Sequence, residues 1–120
     1  MINVAYKTAQ KSTFERHRLG AVIVRGHRVL ASGSNSIRYS KEIGKSTLHA
    51  EEAAIIQMLK SRRQHLLVGA DIYVTRVRPN GSVGLSKPCP RCMELIRSVG
   101  INRVYYTDDT GIVEVIRCSD

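Results

Sequence analysis

The sequence predicts a three-layer α/β fold, in which helices cover the faces of a five-stranded mixed sheet. Runs of strand length alternate with helical patterns in the order α-β-β-α-β-α-β-β. Only the short stretch DDTG separates the last two of these strands, too little for a crossover helix, so we expect them to pair antiparallel. At 120 residues the chain can bury a real core, and we expect one domain over residues 1–120.

The first half of the chain contains a helical pattern, a hairpin and a polar stretch. An amphipathic pattern over residues 4–17 predicts the first helix, with Gly20 just past its end. Apolar runs at 21–24 and 28–32 flank a break that contains Gly and His, and together they predict a tight β-hairpin. The stretch SGSNSIRYSKEIGKS that follows predicts a long loop.

The second half continues with two helices and three strands. A mostly apolar pattern predicts a helix over about residues 48–63, with Thr47 as its N-cap. The β-rich run DIYVTRV at 71–77 predicts a strand, and RPNGSVGLSKP predicts a loop. Pro90 is well placed to open the third helix, which should stop at Gly100. NRVYYT and IVEVIRC then predict the two closing strands.

The composition predicts a soluble protein with an anionic partner. The net charge is +9, and because residues 108–120 carry four acids and one Arg, residues 1–107 carry +12. A basic body fits nucleic acid or a phosphorylated metabolite, although such charges also serve solubility alone. No apolar run approaches the ~20 residues of a membrane helix, and the first twenty residues lack the apolar centre of a signal peptide. We therefore expect a cytoplasmic protein.

Two of the three cysteines, Cys89 and Cys92, lie three residues apart at the predicted start of the third helix. An odd number of cysteines at this spacing is typical of a metal or redox site rather than a disulfide framework. The helix dipole is expected to lower the pKa of thiols placed there. A thioredoxin-like redox pair and two buried core cysteines are the alternative interpretations.

His49 and Glu51 open the second predicted helix within the sequence HAEEAA. One histidine and two cysteines make three ligands, the number that a catalytic zinc uses while keeping one position open. Taken singly, His49 could be a capped surface residue and Glu51 a solvated charge. Residues two apart on a helix point roughly 200° apart, so both can reach only a site beyond the helix end. The sequence thus predicts a metal at the start of the second helix, facing the start of the third.

These residues carry a resemblance to a known family. HAE followed by PCPRC matches the H-x-E…P-C-x-x-C signature of zinc-dependent nucleobase deaminases. Together with GAVIVRGHRVLASGSN, the sequence resembles the cytidine/deoxycytidylate deaminase superfamily over nearly its whole length. The resemblance implies a cytidine-deaminase-like fold and one Zn²⁺ held by His49, Cys89 and Cys92. It further implies that Glu51, which is not a ligand, carries protons between an activated water and the base.

The resemblance also implies contacts with the substrate. Asn35 would hold the sugar or the base, although a turn-forming asparagine is the simpler interpretation. The backbone N–H of Ala50 would bind the base carbonyl, and Ser86 and Lys87 would contact the ring or a phosphate. The remaining histidines are expected to be solvated and the third cysteine to be a small apolar residue of the last strand: His17, His27, His65 and Cys118.

The class of substrate is open at this point. The closing hairpin resembles enzymes acting on free cytidine, whereas His49 is typical of the deoxycytidylate, tRNA-adenosine and polynucleotide branches. The leading hypothesis is hydrolytic deamination of cytosine in a nucleoside or nucleotide. The alternative is cytosine or adenine in single-stranded DNA or RNA, bound by basic residues that include Arg38, Lys41, Lys45, Arg62, Arg63 and Arg91.

Two further expectations concern the remaining alternatives and the assembly. The scarcity of aromatic residues argues against single-stranded nucleic acid, because base stacking is how such proteins usually hold a strand. A third hypothesis, a non-catalytic zinc domain that binds nucleic acid, requires a fourth protein ligand, for which the sequence offers no well-placed candidate. We also expect a homo-oligomer, because small deaminases of this type often build their pockets at subunit contacts.

Overall fold

The computed structural model describes residues 1–14, 16–40 and 44–118, with the backbone alone for residues 38–40 and 44–46. Its helices are α1 (Ile2–Ala9), α2 (Ala50–Lys60) and α3 (Pro90–Ser98), and a short 3-10 helix lies at Gln64–Leu67. Its strands are β1 (Arg18–Arg25), β2 (Arg28–Ser34), β3 (Ser36–Ser40), β4 (Gly44–Leu48), β5 (Asp71–Val77), β6 (Val83–Gly84), β7 (Arg103–Thr107) and β8 (Val113–Arg117).

The main sheet has the strand order β2-β1-β5-β7-β8. Strands β5 and β7 run parallel and are joined by the crossover through α3, whereas the other neighbours are antiparallel. The two-residue strand β6 pairs with the end of β5, beyond the part that β7 occupies. The predicted mixed sheet and the antiparallel pairing of the last two strands are therefore confirmed.

Helices lie on both faces of this sheet. Alternate residues of β1 point to opposite faces, as in any strand. On one face Ile23 packs in the main core with residues of α2 and α3, including Met58 and Ile96. On the other face Val22 packs with Ala5 of α1. None of the described helices is long and apolar enough to cross a membrane.

The prediction for the first helix is wrong at its C-terminal end, because α1 stops at Ala9. Gly20 does not cap the helix but lies within β1, directly beneath it. A Cβ atom at Gly20 would overlap the carbonyl oxygen of Ala5 and would lie 2.8 Å from the Cα of Ala9. Beyond the helix, the Ser12 hydroxyl accepts a hydrogen bond from the backbone N–H of Phe14 at 3.1 Å, a local bond that competes with continued helical hydrogen bonding. The same hydroxyl contacts the carbonyl oxygen of Asn35 at 2.9 Å.

The stretch predicted as a long loop instead contains the β3–β4 hairpin. Its register runs from Ser36 opposite Leu48 to Ser40 opposite Gly44. The sequence SIRYS has the period-two alternation of a strand, but the surrounding glycine, serine and asparagine obscured it.

The second helix is shorter than predicted at both ends. Because β4 extends to Leu48, the N-cap of α2 is His49 rather than Thr47. At the other end α2 stops at Lys60, and Arg62 adopts a φ of 56°, which a right-handed helix cannot accommodate. The predicted third helix is confirmed, with Pro90 at its first position.

Candidate active site

The starts of α2 and α3 converge on one point. His49 is the N-cap of α2 and Cys89 is the N-cap of α3, both with extended backbone. Cys92 follows in the first turn of α3 and is fully buried. Because His49 precedes the helix proper, the angular separation of helical residues does not apply between it and Glu51. His49 and Glu51 can therefore reach the same site at the start of α2, as predicted from the sequence.

The three predicted ligands lie together. Nδ1 of His49 is 3.2 Å from Sγ of Cys92 and 3.8 Å from Sγ of Cys89. All three ligand atoms lie within 4.8 Å of one another. Ligands bound to one tetrahedral zinc at 2.0–2.3 Å lie roughly 3.5 Å apart, so both the distances and the donor types fit Zn²⁺. These residues are positioned to bind a metal ion.

The thiol of Cys92 corrects one expectation. Burial, assisted by the negative charge of Glu51, raises the pKa of Cys92, and so outweighs the helix dipole that was expected to lower it. An unpaired thiolate is therefore unfavourable in this position unless a cation accompanies it. The raised pKa argues against a low-pKa redox pair, whose reactive form is the thiolate.

Glu51 lies beside the ligands, in the first turn of α2, and only 4% of it is exposed. Burial is the main cause that raises the pKa of its carboxyl group, with a smaller contribution from the charge of Glu52. A raised pKa suits a carboxyl group that both accepts and returns a proton near neutral pH.

Glu52 is a further residue of the site, and the sequence analysis missed it. Its Oε1 accepts a hydrogen bond from the backbone N–H of His49 at 3.0 Å. The same atom pairs with the guanidinium of Arg91, in the first turn of α3, also at 3.0 Å. Glu52 therefore fixes the N-cap that carries one ligand and links it to the helix that carries the others. A glutamate three residues after an N-cap is a recognisable capping signal.

A cavity of about 390 Å³ opens beside the ligands. Six of its lining residues were predicted as site residues: Asn35, His49, Ala50, Glu51, Lys87 and Cys89. Four were not predicted: Phe14, His17, Leu19 and Thr47. The volume suits a small ligand.

Comparison with known proteins identifies the family. Residues 1–108 match the family described as cytidine and deoxycytidylate deaminase zinc-binding region. The chain belongs to this deaminase family. The zinc-binding region that this description names agrees with His49, Cys89 and Cys92, which are positioned to bind a metal ion.

Two relatives differ in the substrates that their names give. A deoxycytidylate deaminase of Mycobacterium phage D29 is 30% identical over an alignment of 129 positions. The alignment covers 91% of this chain and 92% of the phage protein. A tRNA-specific adenosine deaminase of Agrobacterium fabrum (strain C58) is 36% identical over 88 residues, or 73% of this chain. The chain spans about half the length of that second relative.

Solved structures support the same fold. A dCMP deaminase from the cyanophage S-TIM5 superimposes with a TM-score of 0.68 at 27% identity, covering 91% of this deaminase and 80% of the phage chain. A cytidine deaminase from Burkholderia pseudomallei gives a TM-score of 0.72 at 22% identity, covering 98% and 89% of the two chains. At that identity the second comparison shows the fold alone.

Asn35 lines the cavity, but most of its hydrogen bonds serve the chain. Its Oδ1 accepts from the backbone N–H of Leu19 at 2.8 Å and from the hydroxyl of Ser12 at 2.6 Å. Its Nδ2 donates to the carbonyl oxygen of His17 at 2.5 Å. An asparagine amide has two N–H groups, so one donor remains for a ligand.

Ser86 and Lys87 are adjacent in sequence but lie in different environments. Ser86 is buried and does not line the cavity. Its hydroxyl donates a hydrogen bond to the carbonyl oxygen of Val74 at 2.7 Å and accepts one from the backbone N–H of Thr107 at 2.8 Å. We therefore assign Ser86 a structural role, because these bonds hold the ligand loop to the sheet. Lys87 is exposed and lines the cavity.

The basic residues predicted to bind nucleic acid do not form one described surface. Lys41 and the side chains of Arg38 and Lys45 lie outside the described residues. Arg62 and Arg63 follow the C-terminal end of α2, whereas the cavity lies at its N-terminal end, about 16 Å away for an 11-residue helix.

Proposed function

We propose that this deaminase hydrolyses the amino group of cytosine in a nucleoside or nucleotide, giving uracil and ammonia. The observation that carries the proposal is the buried carboxyl of Glu51 beside the three metal ligands, at one end of a cavity of about 390 Å³. The phage deoxycytidylate deaminase supports the choice of base, because its similarity extends over nearly the full length of both chains.

Each group of the site has a chemical task in this reaction. Zinc, when bound by His49, Cys89 and Cys92, supplies a Lewis acid that brings the pKa of water down to about 7. Glu51 would accept a proton from the attacking water and deliver it to the ring nitrogen, which makes the adjacent carbon electrophilic. After the attack, Glu51 would take a second proton from the hydroxyl group added to the ring carbon and deliver it to the amino group, which leaves as ammonia while the carbonyl forms.

Three further groups orient the base and the sugar in this proposal. The backbone N–H of Ala50 is one of the first N–H groups of α2, which have no acceptor within a helix, so it is suited to the base carbonyl. The remaining N–H of Asn35 donates to the sugar, and Lys87 contacts an anionic part of the ligand. We also propose that the active form is a homo-oligomer.

A polynucleotide substrate is the second candidate, favoured by the similarity to the tRNA-specific adenosine deaminase. Two features weigh against it: the metal-binding cavity is small, and the aromatic fraction of the chain is 5%, which leaves few stacking surfaces. Binding through many phosphate contacts would weaken steeply as salt is added, whereas uptake of one nucleotide would weaken much less.

A substrate panel tests the proposal. The zinc-loaded protein is incubated with cytidine, deoxycytidine, dCMP, adenosine, AMP, single-stranded DNA and single-stranded RNA, and products are followed by mass. We expect conversion of the cytosine monomers and release of ammonia, with Glu51→Gln as the inactive control. Conversion of adenosine or of the polymers alone would contradict the proposal.

A further inference from the structure

A histidine that lines the cavity contacts an arginine behind it, and neither residue has a task in the reaction described so far. His17 is exposed and lines the cavity, in the loop that precedes β1. The Nη2 atom of Arg76 lies 2.9 Å from its Nδ1. An arginine can only donate, so Nδ1 must be the acceptor, and the ring proton of the neutral imidazole then sits on Nε2. The contact with Arg76 therefore makes Nε2 of His17 a hydrogen-bond donor.

The position of Arg76 follows from the sheet. It lies in β5, opposite Leu19 of β1, which also lines the cavity. On its other side it lies opposite Gly84 of β6, and its Cδ is 3.4 Å from the point that a Cβ at residue 84 would occupy. Because Gly84 has no side chain, the methylene groups of Arg76 can lie beside the short strand β6.

The positive charge at this place is not neutralised within the described part of the chain. The three ion pairs found there join other side chains, and none includes His17, Arg76 or Lys87. In addition, Nε of Arg76 is buried and has no hydrogen-bond partner among the described residues. Because protein encloses Nε, the terminal N–H groups of Arg76 beside His17 are the ones that a ligand can reach.

We propose that His17, Arg76 and Lys87 form a binding subsite for the phosphate group of a nucleotide. A guanidinium suits phosphate because its N–H groups match the spacing of phosphate oxygens. Arg76 positions the imidazole and adds a charge, His17 donates through Nε2, and Lys87 supplies a second charge at the cavity. The inference rests on the proposed function and narrows it, because the deaminase then prefers a phosphorylated nucleotide to the bare nucleoside.

The test compares dCMP with deoxycytidine on the zinc-loaded full chain. The measured quantity is the ratio of kcat/KM for the nucleotide to kcat/KM for the nucleoside. We expect Arg76→Met and His17→Gln each to lower this ratio about 10-fold to 100-fold, the value of one charge-assisted hydrogen bond. Arg76→Lys, which keeps a charge and a donor, should recover part of it.

Arg28→Met is the matched control. Arg28 is exposed and opens β2, opposite Arg25 at the end of β1. The cavity lies near the other end of β1, at Leu19, so this variant removes the same charge away from the cavity. The ratio should not change in this variant. A ratio that stays within about twofold of the wild-type value in both Arg76→Met and His17→Gln would overturn the subsite. An equal loss for both substrates would show that the pair is merely structural, and would overturn it too.

Binding measurements separate this inference from the proposed function. If the wild-type protein deaminates neither cytosine monomer, the proposed function fails, but calorimetry with dCMP, deoxycytidine, AMP and adenosine still tests the subsite. We expect each monophosphate to bind about 10-fold or more tightly than its nucleoside, and Arg76→Met to remove that preference. Equal wild-type affinities would overturn the subsite. Binding of an oligodeoxycytidylate without a terminal phosphate distinguishes the phosphate of a free nucleotide from a phosphate of a polynucleotide backbone. If Arg76→Met loses this binding, the subsite is assigned to a backbone phosphate.

Discussion

At the scale of single residues, the role proposed for Glu51 allows metal binding and catalysis to be tested separately. It is buried next to Cys92 but is not one of the three grouped ligands. Glu51→Gln preserves the shape of the side chain and removes its ability to carry a proton. We therefore expect full zinc content and a fall in deamination of about 100-fold to 10,000-fold, the usual contribution of a general acid–base.

Zinc content by elemental analysis and turnover by product mass check this prediction. Glu94→Gln is a suitable control, because Glu94 is an exposed residue of α3 that does not line the metal-site cavity. Loss of zinc from Glu51→Gln would assign the carboxylate to the metal site instead. Turnover close to the wild-type rate would remove Glu51 from the proton path.

Asn35 gives a second prediction at this scale, because the structure adds a role that the motif did not indicate. Its amide connects the loop before β1 with the end of β2 through Leu19 and His17. Asn35→Ala leaves a partly buried N–H and a carbonyl without their partner, so we expect the free energy of unfolding to fall by about 1 to 3 kcal/mol. Urea denaturation measures it. The neighbouring Ser34→Ala, which removes no such hydrogen bond, should cost far less; equal costs would refute the bridging role.

At the scale of elements, two glycines distinguish close packing from backbone freedom. Gly20 lies beneath α1 with no space for a Cβ atom, so Gly20→Ala must displace the helix. We expect a loss of about 3 kcal/mol in the free energy of unfolding, typical of severe overpacking. Gly26, in the β1–β2 turn, has a φ of 62° and nothing within 4 Å of an added Cβ. Gly26→Ala should cost only about 1 kcal/mol, through its backbone conformation.

Urea denaturation of both variants tests this difference. Equal losses in Gly20→Ala and Gly26→Ala would mean that α1 does not rest on β1 as described. A loss of free energy of unfolding in Gly26→Ala alone would equally show that α1 does not pack on β1 as described.

The elements also show what the sequence could and could not predict. Patterns with a strong local signal were correct: DIYVTRV forms β5 over the predicted residues, and Pro90 opens α3. The ends of elements that depend on contacts between distant segments were not predicted correctly. α1 ends at Ala9, and the chain beyond it is held by the contact of the Ser12 hydroxyl with Asn35, which is distant in sequence. The β3–β4 hairpin was missed because its composition is that of a loop.

At the scale of the whole molecule, the topology explains why the site was only half predictable. His49, Cys89 and Cys92 stand in a recognisable motif, and their convergence follows from two helix starts. His17 reaches the cavity only because β1 runs antiparallel to β5, with Arg18 opposite Val77. That pairing brings the start of β1 to the carboxyl end of β5, the end at which ligands bind in α/β sheets. No local pattern around His17 encodes it.

The same topology makes the metal a link between distant parts of the chain. His49 comes from α2, and Cys89 and Cys92 come from α3, which follows β5. Binding that occurs only in the folded state adds to stability, by about 4 kcal/mol at a thousandfold excess of ligand over its Kd. We expect Cys92→Ala to lose zinc and to melt at a lower temperature than the wild-type protein, because the ion no longer holds the two helix starts together.

A chelator comparison makes this prediction specific to the metal. Chelation should lower the melting temperature of the wild-type protein and leave that of Cys92→Ala nearly unchanged, because the variant has no bound ion to lose. Cys118→Ala is the matched control: Cys118 follows β8, packs against the main core and is not part of the ligand group. This variant should keep both its zinc and the wild-type response to the chelator. If chelation lowers the melting temperatures of all three proteins equally, or of none, then zinc does not connect α2 with α3.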